Sequence, residues 1–287
     1  MSGDLQAKQV IDGLKKLANT SKGHSINDLR MVIALERAIA RLEKHPRLSS
    51  HLVFKGGFVL FKTTNSVRFT RDVDALALGV SRKSVPEMVE RALKIDLDDG
   101  LWFGDLVVKD LVDQGPYGGY SFNCAFQIGD PQKVDKEKIK KFSRIHLDVG
   151  FGDALEKLPK KQPMISILPD GKPVSWSVYP LEYIFAEKLE ALFVRKSASS
   201  RAKDIYDMTL IFPDCKNKRA LQKAIEATFS NRETALPDSF EKAARGFDVS
   251  IMRGAWPSVE LSDVPQTFDS TWEALLETLA NLDASKS

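Results

Sequence analysis

Along this 287-residue chain the spacing of apolar and polar positions changes near Tyr179-Pro180. Before that point, short segments alternate with period two between stretches of helical period. After it, helical period dominates. Residues 4–18 predict a helix. Ser25-Ile26-Asn27-Asp28 opens a second with capping-box spacing, running to about Lys44 and stopping ahead of His45-Pro46. Leu52-Val53-Phe54 predicts a short strand, and Phe58, Leu60 and Phe61 lie on the helix after it. In the next strand Val73, Ala75 and Ala77 alternate with Asp72, Asp74 and Leu76. Ser84-Val85-Pro86-Glu87 repeats the capping-box spacing and predicts a helix to about Leu97. Leu106 to Asp113 and Tyr120 to Ile128 alternate as a hairpin around Gly115-Pro116-Tyr117-Gly118-Gly119. Ile145 to Val149 and Val174 to Val178 are further strands, and Val259-Glu260-Leu261 is the one strand-like stretch beyond Pro180. The pattern predicts an α+β fold with flanking helices over residues 1–179, then a helical domain over 180–287.

Composition narrows the class without naming a chemistry. A hydrophobic content of 43% supports a packed core, and a net charge of +3 is too small for binding to nucleic acid by bulk charge alone. Cys124 and Cys215 have no Cys or His neighbours, so zinc and disulfide frameworks are not expected, and a reducing compartment is. No run approaches the roughly twenty apolar residues of a membrane span, and Met1 to Leu5 lack the pattern of a signal peptide. The expectation is a cytoplasmic protein with no membrane contact.

The chemistry concentrates in two stretches. Side chains on a strand alternate faces, so Asp72 and Asp74 point the same way, roughly 7 Å apart along the backbone. Like charges so placed repel unless a cation lies between them. Oxygen ligands of this kind suit Mg²⁺, which takes one or two carboxylates together with substrate phosphates. Upstream, Lys55-Gly56-Gly57 joins a strand to a helix, and bare amides there favour phosphate. Asp148 alternates with Ile145, Leu147 and Val149; it is either a third metal ligand or a strand-end acid paired with His146 or Arg144. Asp153 suits a turn.

In the second stretch, Lys188 lies one turn from Ile184 and Leu192, so it either snorkels or faces an anion. Asp204 and Asp207, three apart, share a helix face that spacing alone reads as solvated. Lys133, Lys136, Lys138, Lys140, Lys141 and Arg144, with Lys157, Lys160, Lys161 and Lys172, make basic loops. Such loops are either merely solvated or a grip on a phosphate polymer. The histidines show neither metal nor triad spacing.

Lys55-Gly56-Gly57 followed by Arg68-Phe69-Thr70-Arg71-Asp72-Val73-Asp74 resembles the K-G-G…R-x-[ST]-x-D-[IV]-D signature of the AbiEii-type nucleotidyltransferase toxins. Glu187-Lys188-Leu189 with Arg201-Ala202-Lys203-Asp204-Ile205-Tyr206-Asp207 is similar to that family's later segment. The resemblance covers roughly residues 50–210. It implies a polymerase-β-like nucleotidyltransferase fold, with a mixed sheet and a C-terminal helical bundle that closes the active-site cleft. It further implies an NTP substrate, Mg²⁺ as cofactor, an RNA acceptor that in some MenT relatives is the 3′ end of tRNA, and a cognate antitoxin. Asp72 and Asp74 would then be metal ligands, Lys188 a triphosphate contact and Asp204 a further essential acid. Lys55, Gly56, Gly57, Thr70, Arg71 and Arg201 would line the nucleotide site. Where the wider superfamily has Gly-Ser, this chain has Gly56-Gly57. A small-molecule or protein acceptor, or a non-enzymatic nucleotide-binding regulator, are the alternatives.

Overall fold

The computed structural model describes residues 3–20, 24–111, 118–198, 201–259 and 266–284. Helices α1 (Gly3–Thr20) and α2 (Ile26–Lys44) lead into strand β1 (Leu52–Lys55), helix α3 (Gly56–Thr63) and strand β2 (Asp72–Ala77). Helix α4 (Val85–Leu93) precedes strands β3 (Leu101–Leu111), β4 (Gly119–Ile128) and β5 (Arg144–Phe151), then short strands β6 (Gln162–Met164) and β7 (Val174–Trp176). Helices α5 (Leu181–Arg195), α6 (Ala202–Ile211), α7 (Lys218–Asn231), α8 (Phe240–Arg245), α9 (Ser250–Ala255) and α10 (Phe268–Ala284) follow.

These elements form two compact units. The first takes the chain up to Thr63, Thr70–Gly152 and Glu156–Val178. Its sheet has the order β1-β2-β5-β4-β3, with β2 and β5 parallel and every other pair antiparallel. One face of that sheet is apolar: Val73, Ala75, Ile145, Leu147 and Val149 are buried there, as alternation requires. Helix α2 starts on the predicted capping box, Ser25 and Asp28 each receiving the other's backbone N–H. Its residues Glu36 and Arg41 are buried because each has a partner. Glu36 takes Lys62, Ser166 and the Ile167 amide, and Arg41 makes paired bonds of 2.8 Å to Asp99.

The second unit takes Thr64–Phe69, Asp153–Leu155 and the chain from Tyr179 onward. Helix α5 packs on α6 and α7, and α10 on α6 and α8. Arg232, after α7, bonds Glu190 at 2.8 Å and lies 3.4 Å from Asp153 and 3.6 Å from Glu187. Asp153 thus belongs to an ion-pair network as well as following the Gly152 turn.

Four local expectations are corrected. Ser84 makes no capping bond; its hydroxyl donates to the Ser81 carbonyl, within a 3₁₀ turn that leads into α4. Helix α4 stops at Leu93 because the acids beyond it have other uses: Asp96 accepts from the Asp98 amide, Asp98 is left-handed at φ 53°, and Asp99 holds Arg37 and Arg41. Strand β3 begins at Leu101, where a run of three apolar residues hides the alternation, Trp102 packing edge-on to Phe142 while Leu101 and Phe103 are buried. Val259 closes a 3₁₀ turn (Trp256–Val259), while Glu260 and Leu261 lie outside the described residues, as do 112–117 of the predicted hairpin.

Candidate active site

The polar face of the first unit's sheet is organised by its register. Lys55 lies opposite Asp74, Asp74 beside Asp148, Asp148 opposite Ser121, and Ser121 opposite Lys109, one row across all five strands. Two residues along, Asp72 lies beside His146 and His146 opposite Asn123. Neighbouring strands are about 4.8 Å apart. Asp72, Asp74 and Asp148 therefore share one sheet face in adjacent strands, although β2 and β5 are far apart in the chain. Neither His146 nor Arg144 pairs with Asp148: His146 contacts Asn123, and Arg144 is held by Asp105 and Asn123.

The turn from β1 to α3 explains its glycine. Gly56 has φ 75°, and a Cβ placed on it would fall 2.0 Å from Oδ2 of Asp74. The Asp74 carboxylate therefore rests on bare backbone, which any other residue would displace. Thr70 is buried and its hydroxyl donates to Oδ1 of Asp72, which orients that carboxylate. Arg71 is largely exposed, 3.6 Å from Asp28.

The second unit holds a charged cluster. Lys188 on α5 donates to Asp204 at 2.6 Å and lies 2.9 Å from Asp207, both on α6. Arg68 grips Asp207 with two bonds of 2.9 Å, and Arg201 donates to the other oxygen of Asp204. Asp204 and Asp207 are buried, which overturns the solvated face that their spacing suggested. On helix α6 Ala202, Ile205, Tyr206, Met208 and Ile211 are also buried, and these apolar positions flanking the two acids are the signal for a covered helix. Arg68 and Asp207 are the members that sequence reasoning gave no role. Lys188, Arg68 and Arg201 meet Asp204 and Asp207 there, with Arg201 the most exposed of the five.

Burial pushes the Asp204 carboxyl up, but Lys188 and then Arg201 outweigh it and hold it at about 2. Burial likewise pulls Lys188 down, while Asp204 and Asp207 hold it above its ordinary value against the opposing Arg68. Both groups are thus charged at neutral pH. A carboxyl held below its unfolded value stabilises the fold above about pH 4 and loses that contribution as pH falls towards about 2. Denaturant titrations across that window should lose roughly 2 kcal/mol from this group, and Asp204→Asn should flatten the fall. An unchanged pH slope in the variant would remove Asp204 as its source. The thiols of Cys124 and Cys215 are buried, which pushes both up to about 12 and leaves them inert as nucleophiles.

The donor set fits a divalent cation of the Mg²⁺ class: two hard carboxylates on one face, one seated on a glycine turn. Among the described residues, no three His, Cys, Asp or Glu side chains converge into a closed metal cage. Mg²⁺ keeps waters and takes substrate phosphates, so an open carboxylate pair is compatible with it.

Residues 37–278 match the sequence family described as nucleotidyl transferase AbiEii toxin, type IV TA system. No curated protein matches the chain. Among solved structures, JHP933 of Helicobacter pylori is 17% identical, with 91% of this chain and 93% of that one covered at a TM-score of 0.54, which shows a shared fold. MenT4, a nucleotidyltransferase toxin of Mycobacterium tuberculosis, is 18% identical with 94% and 98% covered, at a TM-score of 0.48.

Proposed function

The chain belongs to the AbiEii nucleotidyltransferase toxin family of type IV toxin–antitoxin systems, and from that premise we propose that it transfers a nucleoside monophosphate from an NTP to the 3′-hydroxyl of an RNA, with tRNA as the acceptor. The observation that carries this reading is the same-face pair Asp72 and Asp74, with Asp74 seated on Gly56. In the reaction the RNA 3′-hydroxyl gives up its proton to water as its oxygen attacks the α-phosphorus, the bond from the α-phosphorus to the bridging oxygen breaks, and pyrophosphate leaves with that electron pair. Asp72 and Asp74 would hold Mg²⁺, with Asp148 the carboxylate next to them. A cation held there supplies charge neutralisation and Lewis acidity to phosphate oxygens. Lys188 and Arg201 are cations of the kind a triphosphate requires, with Asp204 orienting both side chains. Amides of the turn at Gly56-Gly57 and the adjoining Lys55 suit phosphate oxygens, with Thr70 and Arg71, which precede Asp72, as the other residues of the nucleotide site. Positioning and charge, rather than covalent chemistry by the protein, supply the rate.

A cognate antitoxin and a cytoplasmic setting complete the proposal. No helix among the described residues is long and apolar enough to cross a membrane. The test incubates the protein with each α-labelled NTP, Mg²⁺ and total tRNA. Label on RNA, released when the 3′ terminal nucleotide is removed, is the expected result. Label on protein or on a small hydroxylated compound would replace the acceptor, and no label from any NTP would end the proposal.

Gly56→Ala provides a sharper check of the turn. A Cβ there collides with Asp74 at a backbone angle that costs about 1–2 kcal/mol for an L side chain. Transfer should fall by about a hundredfold through the displaced carboxylate, with only that modest loss of stability. Steady-state rates and denaturant midpoints measure the two separately.

A further inference from the structure

The sheet face that carries Asp72 and Asp74 also carries a large aromatic side chain that the chemistry above does not use. On β3, Trp102 lies opposite Gln127 and Gly104 opposite Ala125, which in turn lies opposite Arg144 on β5. Residues opposite one another share a face, so Trp102 and Gly104 stand on the face of the acids. Leu101 and Phe103 point the other way and are buried, Phe103 beneath the Arg41 guanidinium of α2. Trp102 is only half-buried. Its indole leans along the strand over Gly104, where a Cβ would fall 2.2 Å from Cζ2 and 2.5 Å from Cη2. Phe142 meets it at 82° with ring centroids 6.0 Å apart. The glycine lets the ring lie close to the backbone and Phe142 limits its rotation, so the indole is held in place while part of it stays in water.

Cations border this ring. Arg144 is tied to the bulge that follows Gly104, donating from Nη1 to Oδ2 of Asp105 at 2.7 Å. A 3₁₀ turn (Lys136–Lys141) leads directly into Phe142. Lys138 of that turn pairs with Asp135 at 2.8 Å, whereas Lys140 and Lys141 are exposed and pair with no acid among the described residues. A fixed, partly wet aromatic ring beside free cations is the arrangement on which a single strand stacks its bases and lays its phosphates. The position favours the acceptor over the NTP. The Gly56 turn, suited to NTP phosphates, lies on the β1 side of the acids, and β3 is the far edge of the sheet. Three strand spacings and one side-chain row put the indole roughly 15 Å from Asp72. A terminal nucleotide reacting at Asp72 does not reach that far, but one a few positions back along the strand does.

We propose that Trp102 is a stacking platform for a base of the acceptor RNA a few nucleotides back from its reacting 3′ end, seated on Gly104 and braced by Phe142, with Lys140 and Lys141 holding the flanking phosphates. The proposal rests on the RNA-acceptor reading above and adds the path of the strand, outwards across β5, β4 and β3.

The test measures KM for total tRNA and for NTP separately in wild type, Trp102→Phe, Trp102→Leu and the double variant Lys140→Gln with Lys141→Gln. Titration of tryptophan emission with tRNA, without NTP, gives affinity directly. Trp102→Leu should raise the tRNA KM by about tenfold, the worth of one stacked base, with the NTP KM within error. Trp102→Phe keeps an aromatic face and should recover most of that loss. It should also abolish most of the quenching that tRNA causes in wild type, a change that a packing role alone does not produce. In the lysine variant the slope of log affinity against log salt should shrink by about 1.4, the share of two phosphate contacts to a single strand. A tRNA KM indifferent to Trp102→Leu overturns the proposal, as does an equal rise in both KM values, a phenylalanine no better than the leucine, full quenching in Trp102→Phe or an unchanged salt slope. If Trp102→Leu does not fold, the quenching in Trp102→Phe and the salt slope decide. Wild-type protein that labels no RNA overturns the acceptor reading and this proposal together, whereas an enzyme that labels RNA with the same KM in Trp102→Leu overturns this proposal alone.

Discussion

Asp72→Asn and Asp74→Asn are each expected to cut nucleotidyl transfer by about a thousandfold, equivalent to about 4 kcal/mol of transition-state stabilisation. The substitutions keep shape and remove one negative charge. Asp74 sits on Gly56 and Asp72 accepts from Thr70, so each carboxylate is oriented by its neighbour. Two carboxylates on one sheet face also repel in the absence of a cation. Removing one should therefore leave the thermal midpoint unchanged or slightly higher, the pattern of a group retained for function at some cost in stability. Initial rates at saturating NTP and RNA, together with Tm measured without divalent cation, check both halves. Activity within tenfold of wild type in either variant would remove the pair from the reaction. A large drop in Tm would instead make the loss one of folding.

Lys188→Ala should show the opposite balance, losing activity and stability together. The ammonium lies between the buried carboxylates of Asp204 and Asp207. Its removal leaves Arg201 and Arg68 to hold one acid each, in a site where Lys188 had been charged. Breaking one partner out of a buried ion cluster costs about 3–5 kcal/mol, which for a chain of this size lowers Tm by something on the order of 10 °C. A paired change separates structure from function. Lys188→Met with Asp204→Asn removes a cation and an anion together, so it should regain most of the lost stability while transfer stays absent. Recovery of transfer in the double variant would show that Lys188 serves only to neutralise its neighbours. A single variant as stable as wild type would contradict the ion cluster described above.

Parts of this molecule were legible because they depend on neighbours in sequence. Asp72 and Asp74 share a face because a strand has period two, whatever packs around it. Ser25 and Asp28 cap α2 three residues apart, as the spacing indicated, whereas the same spacing at Ser84 and Glu87 formed no cap because a 3₁₀ turn claimed the Ser84 hydroxyl. The motifs around Lys55, Asp72, Lys188 and Asp204 led to the family that residues 37–278 match. The spacing of Asp204 and Asp207 suggested a wet surface, since a helix face does not announce whether another element will cover it.

Alternation, glycine conformation and cap spacing are short-range properties, governed by sterics and hydrogen bonds within a few residues, and the chain alone determined them. Tertiary structure decided who meets whom: β5 beside β2, so that Asp148 stands next to Asp74; Arg68 on Asp207 across 139 residues of chain; and Asp105, Arg144, Asn123 and His146 linked through three strands. The entropic cost of closing a loop grows only slowly with its length, so separation along the chain hardly discriminates between partners. Partners are selected by the burial of apolar faces and the pairing of buried charges, and those terms exist only once the elements have packed.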